Sequence, residues 1–218
     1  MTSLRTTWSA YLDQQHRYPT GLIGQIIGAQ MVGQHAPETA WSMHLLNLQP
    51  TDRVLEIGCG AGQALALALK QHPHPPIIGI DLSTTMLRSA TRRNQTAIGN
   101  GQLCLVRGDV AALPFHNHYF DKIVSIHTFY FWLDWWAIMA QIVGLLAAGG
   151  RCVTTFATAR TAPTGERMYW ALHEQAEALV AKLNHIPYLQ ASLIFGPDSR
   201  EFNNVAIVLE IAIANRSG

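Results

Sequence analysis

The sequence predicts an α/β domain: a seven-stranded, mostly parallel open sheet with helices on both faces and an antiparallel hairpin at its carboxyl-terminal end. Three observations carry this expectation. Short aliphatic runs recur at 53–57, 77–80, 103–107, 121–126 and 151–156. Stretches of helical composition or spacing lie between most of them, an alternation that yields parallel strands joined by right-handed crossovers. Two further strand-like runs, 190–195 and 204–213, follow one another with only a short polar link, which favours antiparallel pairing.

The elements follow in order. Arg53–Ile57 is closed by Gly58, and Ala61–Lys70 (AGQALALALK) is rich in strong helix formers. His72-Pro73-His74-Pro75-Pro76 ends that helix, because proline lacks the N–H and clashes with the preceding turn. Ile77–Ile80 runs into Asp81, after which Ser83 or Thr84 caps a helix expected to reach about Ala97. Leu103–Arg107 and Asp121–Ile126 are the third and fourth strands. Trp135–Ala147 reads as a helix stopped at Gly149-Gly150, and Arg151–Phe156 as the fifth strand. Pro163–Asn184 reads as one long amphipathic helix with Met168, Leu172, Ala176, Leu179 and Leu183 on one face. The first forty residues read as a helical segment preceding a domain over 41–218. Leu22/Ile23, Ile26/Ile27 and Met31/Val32 are spaced for a helix that Gly21, Gly24, Gly28 and Gly33 weaken by about 1 kcal/mol each. A mobile lid and close packing on a neighbouring helix both explain such a stretch.

Composition narrows the partners. Hydrophobic residues make up 49% of the 218, and charged residues only 13%, about half the ~25% usual for soluble domains. Extra apolar surface, as at a homo-oligomer interface or an apolar substrate mouth, is one consequence; a quiet surface of Thr, Gln, Ala and His is the other. A net charge of +1 without a basic run lacks the concentrated positive face that nucleic acid requires. Cys59, Cys104 and Cys152 are odd in number and dispersed, which fits a reducing compartment, here the cytoplasm, better than a disulfide scaffold. The apolar stretch 123–148 is broken by His127, Asp134 and Gln141 and reads as a strand followed by a helix, not as a transmembrane span.

The residues that carry chemistry begin at Val54-Leu55-Glu56-Ile57-Gly58-Cys59-Gly60-Ala61-Gly62. Glycines after a buried strand let the backbone approach a ligand before a helix begins. A dinucleotide fingerprint starting at Gly58 requires glycine or alanine at 63, where Gln63 stands, and Glu56 would face a pyrophosphate unfavourably. Near a sulfonium cation the same acid is tolerable or helpful. With Gly79-Ile80-Asp81-Leu82-Ser83, Gly108-Asp109-Val110-Ala111-Ala112-Leu113-Pro114-Phe115, Phe120-Asp121-Lys122-Ile123-Val124 and Leu145–Arg151, these motifs occur in the order of a known family. The sequence resembles the class I S-adenosylmethionine-dependent methyltransferases, which have a Rossmann-like fold, over nearly everything after residue 40. Its arrangement is most similar to the small-molecule branch that includes ubiquinone and menaquinone biosynthesis methyltransferases.

The resemblance implies S-adenosylmethionine as cofactor and a small, apolar or aromatic methyl acceptor. It implies that Asp81 holds the ribose hydroxyls and that Leu82 lies against adenine. Asp109 would accept from the adenine amine, and the Val110 N–H would meet a ring nitrogen. Glu56, Gly58, Cys59, Gly60, Gly62, Met86 and His127 complete the expected cofactor set. Catalytic residues are less determined by sequence. His127, at the end of the fourth strand, is the best-placed base, with cofactor contact and packing as its other roles; Tyr130, in the run Phe129–Trp132, either lines the acceptor pocket or fills the core. Tyr11 and Tyr18 could close over the cofactor. No metal is expected: His72/His74 and His116/His118 are loop pairs without companion ligands. An NAD-dependent reductase would need the third glycine and a Tyr-x-x-x-Lys set, which is absent. A non-catalytic S-adenosylmethionine-binding regulatory or scaffold protein is the second alternative.

Overall fold

A computed structural model describes residues 21, 33–71, 77–161, 167–169, 172–196 and 202–213. The elements are α1 (Ala36–Leu46), β1 (Val54–Ile57), α2 (Gln63–Gln71), β2 (Ile77–Asp81), α3 (Thr84–Arg93), α4 (Gln95–Gly99), β3 (Leu103–Arg107), β4 (Phe120–Ile126), α5 (Trp135–Leu145), β5 (Leu146–Thr161), β6 (Arg167–Tyr169), α6 (Leu172–Leu183), β7 (Leu189–Phe195) and β8 (Phe202–Ile211). Single 3₁₀ turns stand at Val110–Ala112 and Phe129–Phe131. The main sheet runs β3-β2-β1-β4-β5-β8-β7. Its first five strands are parallel, while β8 pairs antiparallel with both β5 and β7. The seven-stranded expectation therefore holds, with the last strand inserted between β5 and β7.

Both faces of the sheet are buried, and the period-2 alternation of strands distributes the core between them. On one face Leu55, Ile57, Ile123, Cys152, Ile207 and Leu209 meet Ile138, Met139 and Ile142 of α5 and Ala176, Leu179 and Leu183 of α6. On the other, Val54, Val124, Val153, Ala206 and Val208 meet Met43 and Leu46 of α1 and Ala64, Leu65 and Ala68 of α2. Phe129 stacks between Trp135 and Phe156, at centroid distances of 4.6 and 4.5 Å.

Several boundaries differ from the sequence reading. The helix expected to run to Ala97 breaks at Asn94, whose side-chain amide donates to the Ala90 and Gly62 carbonyls and so competes with helix continuation. The helix expected from Pro163 begins instead at Leu172: Arg167–Tyr169 is extended and pairs with Ala159–Thr161 of β5. The Trp135 helix ends at Leu145, and β5 starts at Leu146, before the two glycines. Helix α1 crosses the expected boundary at residue 40 and buries Glu38 and Thr39. The lid reading and Tyr11 and Tyr18 lie outside the described residues. No helix among the described residues is long and apolar enough to cross a membrane.

Candidate active site

In this strand order β1 lies between β2 and β4, so successive crossovers leave β1 in opposite directions and open a crevice beyond the strands' carboxyl ends. A cavity of about 710 Å³ occupies that crevice, within the range of roughly 300–1,000 Å³ typical of small-molecule sites. One part is walled by the β1–α2 loop and the ends of β2 and β3; another is walled by Phe131, Trp132, Leu133, Ala137 and Ile138.

The glycine loop is built by its backbone. Gly58, Gly60 and Gly62 have φ of +70°, +50° and +76°, in the left-handed region that costs other residues roughly 1–2 kcal/mol. A Cβ at Gly58 would stand 2.3 Å from Thr128 Cγ2, so this glycine lets the loop seat against the turn after β4. A Cβ at Gly60 meets nothing within 4 Å, so this glycine keeps open space for a ligand. Gly62 packs on Ala90 and Asn94, under the loop, and is not among the residues that line the cavity.

Asp81 closes β2 with both oxygens engaged. Oδ2 accepts the Gly60 N–H and Oδ1 the Ser83 N–H, each at 2.8 Å. Ser83 itself caps α3 through Met86 N–H, so Asp81 remains available to the cavity it lines. Burial pushes its carboxyl above the ordinary range, against the pull of the two backbone donors. Glu56 is buried deeper, and desolvation, followed by the charge of Asp81, pushes its carboxyl well above the usual carboxylate range. Its Oε2 has no hydrogen-bond partner among the described residues. Burial, Glu56 and Asp81 likewise push up the Cys59 thiol, which leaves it an unreactive part of the wall.

Asp109 and Val110 also line the cavity, with Asp109 Oδ1 accepting the Ala111 N–H at 2.9 Å. Gln141 of α5 clamps their loop: its Nε2 donates to the Val110 carbonyl and its Oε1 accepts the Leu113 N–H. Sequence reasoning missed Gln141, since a single glutamine on a buried helix face carries no local signal.

His127 follows β4 with φ +56°, its N–H donating to the Thr155 carbonyl at 2.8 Å. Burial, and then the neighbouring His35, push its ring down to about 3. At neutral pH it is an uncharged imidazole and a poor proton acceptor, which argues against the general base expected of it. Its Nδ1 lies 2.6 Å from the Tyr130 hydroxyl, which also accepts the Ala157 N–H. Tyr130 is not among the cavity-lining residues; it stands behind His127 and fixes that ring, and burial pushes its own hydroxyl up.

Such a site fits a ligand that carries hydroxyl groups at one end and a positive charge at another. The groups present fit S-adenosylmethionine: strand-end carboxylates, an unsatisfied buried acid oxygen beside the cavity, and a glycine loop with room for a ligand. Comparison with known proteins agrees. Residues 55–154 match the family model described as a methyltransferase domain. The uncharacterized methyltransferase YdaC of Bacillus subtilis is 28% identical over 130 residues, 60% of this chain and 70% of that protein. A demethylmenaquinone methyltransferase of Bacillus cytotoxicus is 28% identical over 138 residues, 62% of this chain and 57% of that one. The fold also matches phosphoethanolamine N-methyltransferase 2 of Haemonchus contortus, solved with S-adenosylhomocysteine, at a TM-score of 0.62 and 15% identity over 81% of this chain and 52% of that one. These likenesses support a class I S-adenosylmethionine-dependent methyltransferase, with S-adenosylmethionine as the cofactor.

Proposed function

We propose that the protein transfers the methyl group of S-adenosylmethionine to a small, apolar or aromatic acceptor. The observation that carries this reading is one continuous cavity that joins the carboxylate-and-glycine end to an aromatic and aliphatic wall. When bound, the cofactor supplies an electrophilic methyl group on a sulfonium. Asp81 holds the ribose hydroxyls, Asp109 and the Val110 N–H meet the adenine edge, and Glu56 faces the cationic end. Phe131, Trp132, Ala137 and Ile138 exclude water and orient the acceptor, so positioning supplies much of the rate enhancement. His127, uncharged and poorly basic, does not draw off a proton, which favours acceptors that are already nucleophilic, such as phenolates, quinol anions and free amines.

The test is S-adenosylhomocysteine formation by the full chain with a panel of apolar phenols, quinols and amines. Turnover with a panel member is expected, and Leu133→Asp, at an exposed position on the acceptor wall, should raise KM for that acceptor while leaving cofactor affinity unchanged. Tight cofactor binding without turnover on any panel member would favour the reading as a non-catalytic binding module.

A further inference from the structure

Among the described residues, one cluster of ligating side chains is left unused by methyl transfer. His35, just before α1, Glu38 on its first turn and His127 at the end of β4 bring one ligand atom each to within 4.8 Å of one another. The two imidazoles tilt at 42° with centroids 4.0 Å apart, and both line the cavity, with Glu38 behind them. We propose that this triad is a binding site for a first-row divalent transition metal ion, Zn²⁺ above all, held on the cavity wall by two imidazoles and one carboxylate.

Three observations carry it. Glu38 is fully buried; Oε1 accepts from Asn204 Nδ2 at 3.1 Å, while Oε2 has no hydrogen-bond partner among the described residues. A buried carboxylate oxygen without a partner costs free energy that a bound cation would offset. The Nδ1 of His127 faces Tyr130, whose hydroxyl Ala157 fixes; with the proton on Nδ1, Nε2 is the ring atom turned to the cluster, the outer support metal-bound histidines usually have. Finally, His127 keeps a left-handed backbone, φ +56°, a strain that collects at functional sites.

A tetrahedral ion with bonds of about 2.1 Å needs ligand atoms about 3.4 Å apart, so binding draws the triad inward by up to about 1.5 Å. Three protein ligands leave a coordination position open toward the cavity, where an oxygen of an acceptor or a water can bind. The spacing His35-x-x-Glu38 puts both groups on one side of α1, and the chain fold supplies His127 from 89 residues beyond Glu38.

The test uses the full chain, stripped with a chelator and titrated with Co²⁺, read by its visible d–d absorption and then by displacement with Zn²⁺. One equivalent should bind. Glu38→Gln and His35→Asn should each weaken binding by roughly 100-fold, and Tyr130→Phe by roughly 10-fold. His116→Ala, at a loop histidine elsewhere, should leave it unchanged. Circular dichroism confirms that each variant is folded, and His35→Asn, at a half-buried position, keeps the test valid if Glu38→Gln does not fold. Absence of stoichiometric binding overturns the proposal, as does wild-type affinity in both ligand variants. S-adenosylmethionine titration of the metal-free protein separates the two readings. Cofactor binding weakened by Glu38→Gln, with no metal bound, would assign the carboxylate to the cofactor's ammonium group and overturn the metal site while leaving methyl transfer standing. Metal binding without cofactor binding would support the triad and remove the methyl-transfer reading.

Discussion

Replacing Asp81 with asparagine tests the cofactor site with little change of shape. The carboxylate accepts two backbone N–H groups at 2.8 Å each, and in the proposed site its remaining lone pairs take the ribose hydroxyls. An asparagine keeps one acceptor and turns an amide donor toward the other N–H. Hydrogen bonds to a charged group contribute about 1.5–3 kcal/mol and neutral ones about 0.5–1.5, a difference of about 1–1.5 kcal/mol for each of two ribose bonds. At 1.4 kcal/mol per decade, Asp81→Asn should weaken S-adenosylmethionine binding by about 30- to 150-fold in calorimetric titration at pH 8. Burial penalises the charge that is removed, which offsets part of the cost of leaving one backbone N–H facing an amide donor in the ligand-free protein. A Kd within about threefold of wild type, in folded variant protein, would refute the assignment of Asp81 to the ribose. The pH dependence has opposite signs for binding and for folding. Affinity should decline as pH falls through the raised pKa of Asp81, and this decline should vanish in the asparagine variant. The folded state holds that proton more tightly than the unfolded chain, so the carboxyl favours folding at low pH. That contribution is lost as pH rises from the ordinary carboxylate value through the raised one.

Glu56 follows the same sign with deeper burial: Glu56→Gln should raise the melting temperature more at pH 8 than at pH 5, and equal shifts would contradict an acid raised by desolvation. Gly58→Ala combines a left-handed backbone with a 2.3 Å approach to Thr128 and should cost about 2–5 kcal/mol in urea denaturation. Gly60→Ala, facing open space, should cost only about 1–2 kcal/mol while weakening cofactor binding; equal stability losses in the two variants would undo that distinction. Phe129→Ala removes the ring stacked between Trp135 and Phe156 and should destabilise the fold by about 3–5 kcal/mol, with a loss below 1.5 kcal/mol showing that the stack repacks.

Most strands and the glycine loop were legible because their signals are local. Runs such as Ile77–Ile80 must be apolar on both faces, and loops such as Gly58–Gly62 need residues that few other settings require. The aspartate closing β2 belongs to the same category. What sequence reasoning missed depends on long-range placement. Glu38 and His127 are far apart in the chain and meet only because α1 packs on β4 and β5; the spacing of His35 and Glu38 on one helical face was the available signal. Tyr130 sits within an aromatic run that fits a pocket wall and a core equally well, and its hydrogen bonds with His127 and Ala157, the latter brought near only by folding, fix where its hydroxyl lies. The extended segment Arg167–Tyr169 was read as helix because its amphipathic spacing continues into α6, while pairing with the overlong β5 draws it into the sheet.

Gln141 joins two parts of the cavity in a single side chain. It grips the Val110–Leu113 loop from a helix whose Ala137 and Ile138 face the acceptor side. With adenine and acceptor placed as proposed, occupation of the adenine side is expected to stiffen the acceptor side and to order the reaction, cofactor first and acceptor second. Product-inhibition patterns report that order directly, and Gln141→Ala should convert an ordered mechanism toward a random one; unaltered patterns in that variant would show that the two halves fill independently.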